Sequence, residues 1–332
     1  MAESRFRLYL LSAAAMLALP AVSARLPAVP DAAGQQEAAA QQPAQSAACY
    51  RVYRTETGDV ETLSLRDYLI GAVGAEMPAS YEPEALKAQT VAVHTYAERI
   101  RAQNAAHPDP ALHGADFSDD STHYLAFYSE EQLRKFYGDA FAESYEKIAG
   151  AVDAVSDEQL YYADEPIVAA FHAVSAGQTE ASENVWGTEL PYLRSVSSEG
   201  DTGAPEYETV RCIQPDMLRE AVQAVRPGAE FSGAPETWFG APDVSAAGTV
   251  LHIRCGSEEL TGQELRDALC LRSACFTVSY DGQQFVFTVK GFGHSVGMSQ
   301  YGANVMAKNG STCDEILAHY YPGAEPVHLT AE

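Results

Sequence analysis

Basic side chains are scarce in this chain. It carries 21 Lys and Arg against 46 Asp and Glu, a formal net charge of −25. Such a surface repels nucleic acid and anionic lipid, so neither is an expected partner. Long apolar runs are scarce too. One runs from Leu8 to about Val22, behind Arg5 and Arg7 and ahead of the small residues ending at Ala24. A basic start, an apolar middle and a small-residue end make a secretory signal. The run is about fifteen residues, short of the roughly 20 that span a bilayer as a helix. Residues 1–24 are therefore expected to be a signal peptide, or an anchor if retained. The folded part is expected to be extracytoplasmic, secreted or held by that N-terminal segment, with no other membrane contact. The six cysteines, Cys49, Cys212, Cys255, Cys270, Cys275 and Cys313, fit no zinc-site spacing. An even count in an exported chain permits disulfides, and six small buried residues is the alternative. Internal repeats are absent.

Residues 25–48 are Ala, Gln and Pro with little else and cannot bury a core. They read as a disordered spacer ahead of one folded domain over 49–326. Arg51–Thr55 alternates like a strand, and Glu56–Asp59 reads as a hairpin turn. Ser64 with Asp67 predicts a helix start. Leu65, Tyr68, Leu69, Ala72 and Glu76 then share one face, and Met77-Pro78 stops the helix. A second helix is predicted from Pro83 to about Gln103, with Lys87 and His94 two turns apart on one face. Residues 104–123 read as a loop. Glu131–Ala154 reads as one helix, and Leu160–Tyr162 and Ile167–Val174 as paired strands. Residues 197–248 are rich in Gly, Pro and Ser and read as irregular. Gly248–Arg254, Phe276–Tyr280 and Gln284–Val289 alternate as strands, and Ser299–Asn309 and Thr312–Tyr320 read as closing helices. Helices and strands mix without regular βαβ alternation. The expected fold is α+β, with mainly antiparallel strands packed against several helices.

Three blocks carry chemistry-bearing residues. The first runs from Tyr68 through Ala75-Glu76-Met77-Pro78 to Lys87 and Gln89. The second holds His172, Ser175, Thr179 and Glu180, then Asn184-Val185-Trp186. The third runs through Gly291-Phe292-Gly293-His294, Gly297 and Gln300 to His319 and Gly323. In order and separation these blocks, spanning about Leu63 to Ala324, resemble the stage II sporulation protein D family. The resemblance implies an exported lytic transglycosylase that cuts peptidoglycan glycan strands, preferably ones lacking stem peptides, during forespore engulfment. It implies the stage II sporulation proteins M and P as partners, the second an amidase that strips stem peptides first.

Carried over by resemblance, Glu76 is the catalytic acid. A glycosidic oxygen leaves poorly unless protonated, and a carboxyl at the end of an apolar helix face keeps its proton to higher pH. The sugar's own C6 hydroxyl can attack the anomeric carbon, so no second carboxylate is required. Lys87 matches a family lysine implicated in activity. His94 stands where the family has arginine and offers neither its permanent charge nor its fork. His94 is also readable as a solvated helix residue. His172, Ser175, Thr179, His294 and Gln300 are the remaining candidate substrate contacts. The flanking glycines allow close backbone approach, and a tight turn around a core histidine is the plainer alternative for His294. Ser295 follows His294 where the family usually has glycine. No nucleophile elbow surrounds Ser175. Some clostridial members bind zinc through a Cys/His cluster, but Ser118 and Tyr124 stand at its Cys positions, so no metal or other cofactor is expected. The loss of that pair and of the arginine also fits a second reading, a glycan-binding scaffold or a modifier of a separate autolysin.

Overall fold

The computed structural model describes residues 49–329. The export segment expected over 1–24 and the spacer expected over 25–48 lie outside the described residues. The chain opens on an antiparallel hairpin, β1 (Cys49–Tyr53) with β2 (Val60–Ser64). Ser64 ends β2 and caps α1 (Leu65–Glu76), its side chain accepting from the Asp67 amide. The helix stops at Met77, before Pro78, as the sequence predicts. Helix α2 (Pro83–Ala106) begins on its proline and runs one turn past the predicted end. The following loop contributes β3 (Phe117–Ser118), which adds parallel to β1.

Two sequence expectations change here. The helix predicted over Glu131–Ala154 is two, α3 (Glu130–Tyr137) and α4 (Phe141–Val155), broken where Gly138 takes φ +53°. The strand predicted over Ile167–Val174 does not form as one piece. β4 (Glu158–Tyr162) turns through Ala163 and Asp164, both at positive φ, into the two-residue β5 (Glu165–Pro166). The Ile167 amide still donates to the Leu160 carbonyl, but that of Val168 is taken by the Tyr192 hydroxyl, and Ala170 bonds back to Val168. Pairing resumes only at β6 (Phe171–His172), and the short α5 (Ser182–Trp186) follows.

The middle is more regular than its composition suggests. β7 (Glu208–Ile213) and α6 (Pro215–Val225) lead to β8 (Asp243–Val244), β9 (Val250–Cys255) and β10 (Glu258–Thr261). Then come α7 (Gly262–Leu269), β11 (Phe276–Tyr280) and β12 (Phe285–Lys290). These make two antiparallel sheets, ordered β10-β9-β8 and β11-β12-β7. They enclose a core of their own, with Leu218, Trp238, Leu265, Phe285 and Phe287 buried. The chain enters this unit at Glu208 and leaves at Lys290, which are cross-strand partners.

After it, β13 (Met298–Ser299) adds parallel to β6, and α8 (Gln300–Lys308) and α9 (Cys313–Tyr320) follow. β14 (Glu325–His328) closes on β4. The larger core joins α1, α2, α4, α8 and α9 through Leu69, Val73, Leu86, Val93, Ile148, Ala303, Ile316 and Tyr320. Each such side chain contributes roughly 1.5–3 kcal/mol by leaving water. The architecture is the α+β arrangement expected. All six cysteines are unpaired, with Cys255, Cys275 and Cys313 buried.

Candidate active site

Glu76 is the last residue of α1, on its buried face. Its setting depends on Gly71, one turn and a half earlier. A Cβ at Gly71 would strike the Phe127 ring and the Tyr128 carbonyl. Its absence lets the loop over 126–128 lie on the helix, where the Tyr128 amide donates to the Gly71 carbonyl (3.3 Å). In the same loop the Ala126 amide donates to Glu76 Oε1 (2.9 Å). Glu76 is only 5% exposed. Desolvation raises its pKa to about 7, and the Ala126 amide pulls weakly the other way. Tyr68, Tyr96 and Tyr128 lie within its field, and a charge on Glu76 pushes each phenol further up. A carboxyl poised near neutrality can both give and take a proton.

Gln300 is brought to this residue, but at its backbone. Its Nε2 donates to the Glu76 carbonyl (3.1 Å) and to Gln89 Oε1 (3.3 Å), holding the end of α1 against α2 and α8. Lys87 is not brought there. Its Nζ pairs with Glu84 Oε1 (2.7 Å) one turn earlier, which raises the lysine's pKa and lowers that of Glu84. His94 is neither at Glu76 nor solvated. It is buried against β4, with Nδ1 on the Glu158 carbonyl (3.2 Å) and Nε2 facing Gln159 Nε2 (2.9 Å). Burial pushes its pKa down to about 4.

The second and third blocks meet at a separate place. β6 and β13 put His172 opposite Ser299. The His172 ring lies 5.8 Å from that of His294, which lies 5.6 Å from the Trp186 ring. His172 Nδ1 donates to the Val296 carbonyl (3.1 Å), and the Val296 amide donates to His294 Nδ1 (3.1 Å). Burial lowers both histidines, His172 to about 4 and His294 to about 3. His294 and Ser295 line a small cleft of about 60 Å³ with Asn184, Val185, Thr261 and Gln263, between α5 and the 208–290 unit. Close approach is built in, since a Cβ at Gly293 would lie 2.8 Å from His172 Cβ. Ser175 and Thr179 stand apart from any nucleophilic arrangement. Ser175 donates its amide and hydroxyl to buried Asp201 (2.8 and 2.5 Å), and Thr179 accepts from the Val196 amide (2.9 Å).

A family model described as "Stage II sporulation protein" matches residues 53–162. The stage II sporulation protein D of Bacillus subtilis (strain 168) is 36% identical over 276 residues, covering 82% of this chain and 77% of that one. That of Bacillus amyloliquefaciens is 36% identical over 274 residues, again 82% of this chain and 77% of the relative. The chain belongs to the stage II sporulation protein D family. An amidase enhancer of Bacillus subtilis (strain 168) is 28% identical over 306 residues, 77% of this chain but 39% of that protein.

In this family member the histidine at position 94 is held by the Glu158 carbonyl and the Gln159 side-chain amide of β4. Ser295 accepts the left-handed backbone, φ +66°, that glycine takes more readily. Ser118 is buried and accepts from the Asp120 amide (3.1 Å), while exposed His123 pairs with Asp120 (3.1 Å). One imidazole without thiolates does not fit a tetrahedral zinc site. Among the described residues, Asp157, Glu158 and His328 alone form a His/Cys/carboxylate group close enough to share an ion, at the β4–β14 edge. The sequence did not single out Ala126, Tyr96, Tyr128 or Trp186 as part of either place. Tyr96 was legible as a core residue and Trp186 as part of a block, but a backbone amide such as that of Ala126 leaves no mark in sequence.

Proposed function

We propose that this protein cuts peptidoglycan glycan strands by lytic transglycosylation, acting outside the membrane in sporulation. The observation that carries the reading is the buried Glu76 carboxyl, which holds one backbone amide and has a pKa of about 7. Protonated, Glu76 gives its proton to the glycosidic oxygen as the bond to the anomeric carbon breaks. As the carboxylate it then takes the proton of the C6 hydroxyl of the same sugar, whose oxygen attacks that carbon. The product carries an internal anhydro ring and no water is consumed. Peptide-free strands are the proposed substrate, with the stage II sporulation proteins M and P as partners. The N-terminal segment is the proposed route across, or anchor in, the membrane.

The placement of Lys87 on Glu84 and of His94 on β4 supports a second reading, a glycan-binding scaffold or modifier of another autolysin. A 28%-identical relative named as an amidase enhancer fits it as well. Digestion of peptide-free strands, read by mass spectrometry, separates the two. Anhydro-ended fragments that vanish in Glu76→Gln support the enzyme. Retained strand binding with no fragments from the native chain supports the scaffold and overturns the enzyme.

A further inference from the structure

Residues 119–129 join β3 to α3 without forming strand or helix. Yet this segment shapes the Glu76 site. It carries the Ala126 amide that meets the carboxyl and the Tyr128 amide that meets the Gly71 carbonyl. An irregular segment keeps two amides in place only if something outside it holds it. Arg54, directly after β1, does so at three points, and its side chain is 14% exposed. Its Nε pairs with Asp119 Oδ2 (3.3 Å), at the start of the segment. Its Nη2 donates to Gln132 Oε1 (3.2 Å), in the first turn of α3 just beyond the end. Its guanidinium carbon lies 4.8 Å from the centre of the Phe127 ring, between Ala126 and Tyr128 in the chain.

These partners are anchored in turn. Thr55 donates its amide and its hydroxyl to Asp119 Oδ1 (2.9 Å each), and the Asp119 amide donates to the Tyr53 carbonyl (3.1 Å). Gln132 Oε1 also accepts from the Ser129 amide (2.8 Å), closing the capping box of α3. Phe127 is buried, stacks on Tyr68 and fills the space that a Cβ at Gly71 would need. One ring therefore meets both the guanidinium and α1. The half-exposed Glu61 of β2 lies 3.7 Å from Nε, so two carboxylates meet the arginine's charge. A planar guanidinium can turn one edge to a carboxylate, another N–H to an amide oxygen and its face to an aromatic ring. A lysine ammonium is a point charge and cannot serve those three directions together.

We infer that Arg54 is a positioning residue for Glu76: by holding Asp119, Phe127 and Gln132 at once, it seats the 126–128 loop so that the Ala126 amide reaches the carboxyl. This rests on the reading of Glu76 as the catalytic acid. The effect passes through the loop, from the Phe127 ring to the amides on either side of it. The groups that titrate around Glu76 are the phenols of Tyr68 on α1, Tyr96 on α2 and Tyr128 on the loop. Burial holds each phenol above its ordinary range, so all three stay neutral while Glu76 ionises. Against the burial of Glu76 stands the Ala126 amide, which favours the carboxylate. Loosening the loop weakens that hydrogen bond while Phe127 and Tyr128 still cover α1, so Glu76 then keeps its proton to higher pH.

The test compares the full native chain with Arg54→Ala and Arg54→Lys. Amide hydrogen exchange reads the loop. Carbon-13 NMR of the Glu side-chain carboxyls, assigned with Glu76→Gln, reads the Glu76 titration. In Arg54→Ala the Ala126 and Tyr128 amides should exchange about tenfold faster or more, while the α2 amides keep their protection. The Glu76 midpoint should move upward from about 7, and the alkaline limb of glycan cleavage should move with it. Arg54→Lys keeps a charge beside Asp119 and so keeps the chain folded, yet should show the same fast exchange and the same shift. A merely structural role would lower stability without moving the midpoint. Native exchange at both amides, or an unmoved midpoint, in the two variants overturns the inference and leaves the catalytic reading standing. Full rescue by Arg54→Lys also overturns it, because charge alone would then suffice. Exchange and midpoint as expected, in a protein whose native form cuts no strand, overturn the catalytic reading and leave the loop assignment standing.

Discussion

Glu76 should destabilise the protein it serves, and the size of the effect follows from its burial. An ordinary carboxyl titrates at 4.5 and this one at about 7. At 1.36 kcal/mol per pKa unit the difference is about 3 kcal/mol. The sign comes from proton counting. Between those two values the folded state holds a proton that the unfolded chain has lost, so stability falls as pH rises through the window. The loss is complete above about pH 7. Glutamine has nearly the same shape, still accepts from the Ala126 amide and never charges. Glu76→Gln should therefore be more stable than the native chain by about 3 kcal/mol at pH 8.5 and by less than about 1 kcal/mol at pH 5. Urea unfolding of both proteins at the two pH values measures this directly. The comparison cancels every other titrating group, including the buried histidines. A gain of equal size at both pH values, or none at either, would refute the claim that desolvation holds this carboxyl at neutrality.

Gly71→Ala should push the 126–128 loop off α1 and cost about 1–3 kcal/mol by overpacking, offset by up to about 1 kcal/mol of helix propensity. In a glycan-cleavage assay the loss of the Ala126 amide should move the alkaline limb of the pH profile upward, because that amide favours the charged carboxylate. His94→Arg should be destabilised by roughly 3 kcal/mol or more, since it forces a larger, charged group against β4; thermal unfolding reads it. Because burial holds His94 and His172 at about 4, stability should fall as pH drops from about 6.5 toward 4, and His94→Gln should flatten part of that fall. Ser175→Ala should weaken folding by about 1–3 kcal/mol through the buried Asp201 it leaves under-satisfied, yet leave glycan cleavage of the folded protein intact. Lys87→Ala breaks a half-exposed pair and should cost no more than about 1 kcal/mol; a large loss of cleavage with native stability would instead place Lys87 on the substrate.

Local signals were legible where neighbours in sequence decide the structure. Ser64 and Asp67 mark the start of α1 and Met77-Pro78 its end, so Glu76 at the foot of an apolar stripe was readable as a desolvated carboxyl. The break at Gly138 was there to be read, but amphipathic spacing on both sides concealed it. The start of α7 was also there to be read, since Thr261 and Glu264 form a full capping box. What could not be read depends on distant backbone. His94 is defined by the Glu158 carbonyl and Gln159, more than sixty positions away, and the Glu76 environment by an amide fifty positions on. Lys87 shares a face with His94, as its spacing predicts, but that face meets the helix's own Glu84 and β4 rather than the carboxyl. Glu84 was visible three residues before it, and the nearer partner prevailed.

Glu208 and Lys290 touch across a strand pair, and the Gly291 amide bonds back to the Tyr207 carbonyl (2.8 Å). Everything between them leaves and re-enters the larger core through one narrow doorway. A chain interrupted this way behaves like a socket and a cartridge. The cartridge can lengthen, shrink or be exchanged in descent without stretching the segments on either side, because their ends already meet. Glu76, its loop and Gln300 belong to the socket, while Thr261, Gln263 and much of the cleft wall belong to the cartridge. Evolution can therefore revise that cleft wall while the carboxyl's own pocket is inherited unchanged.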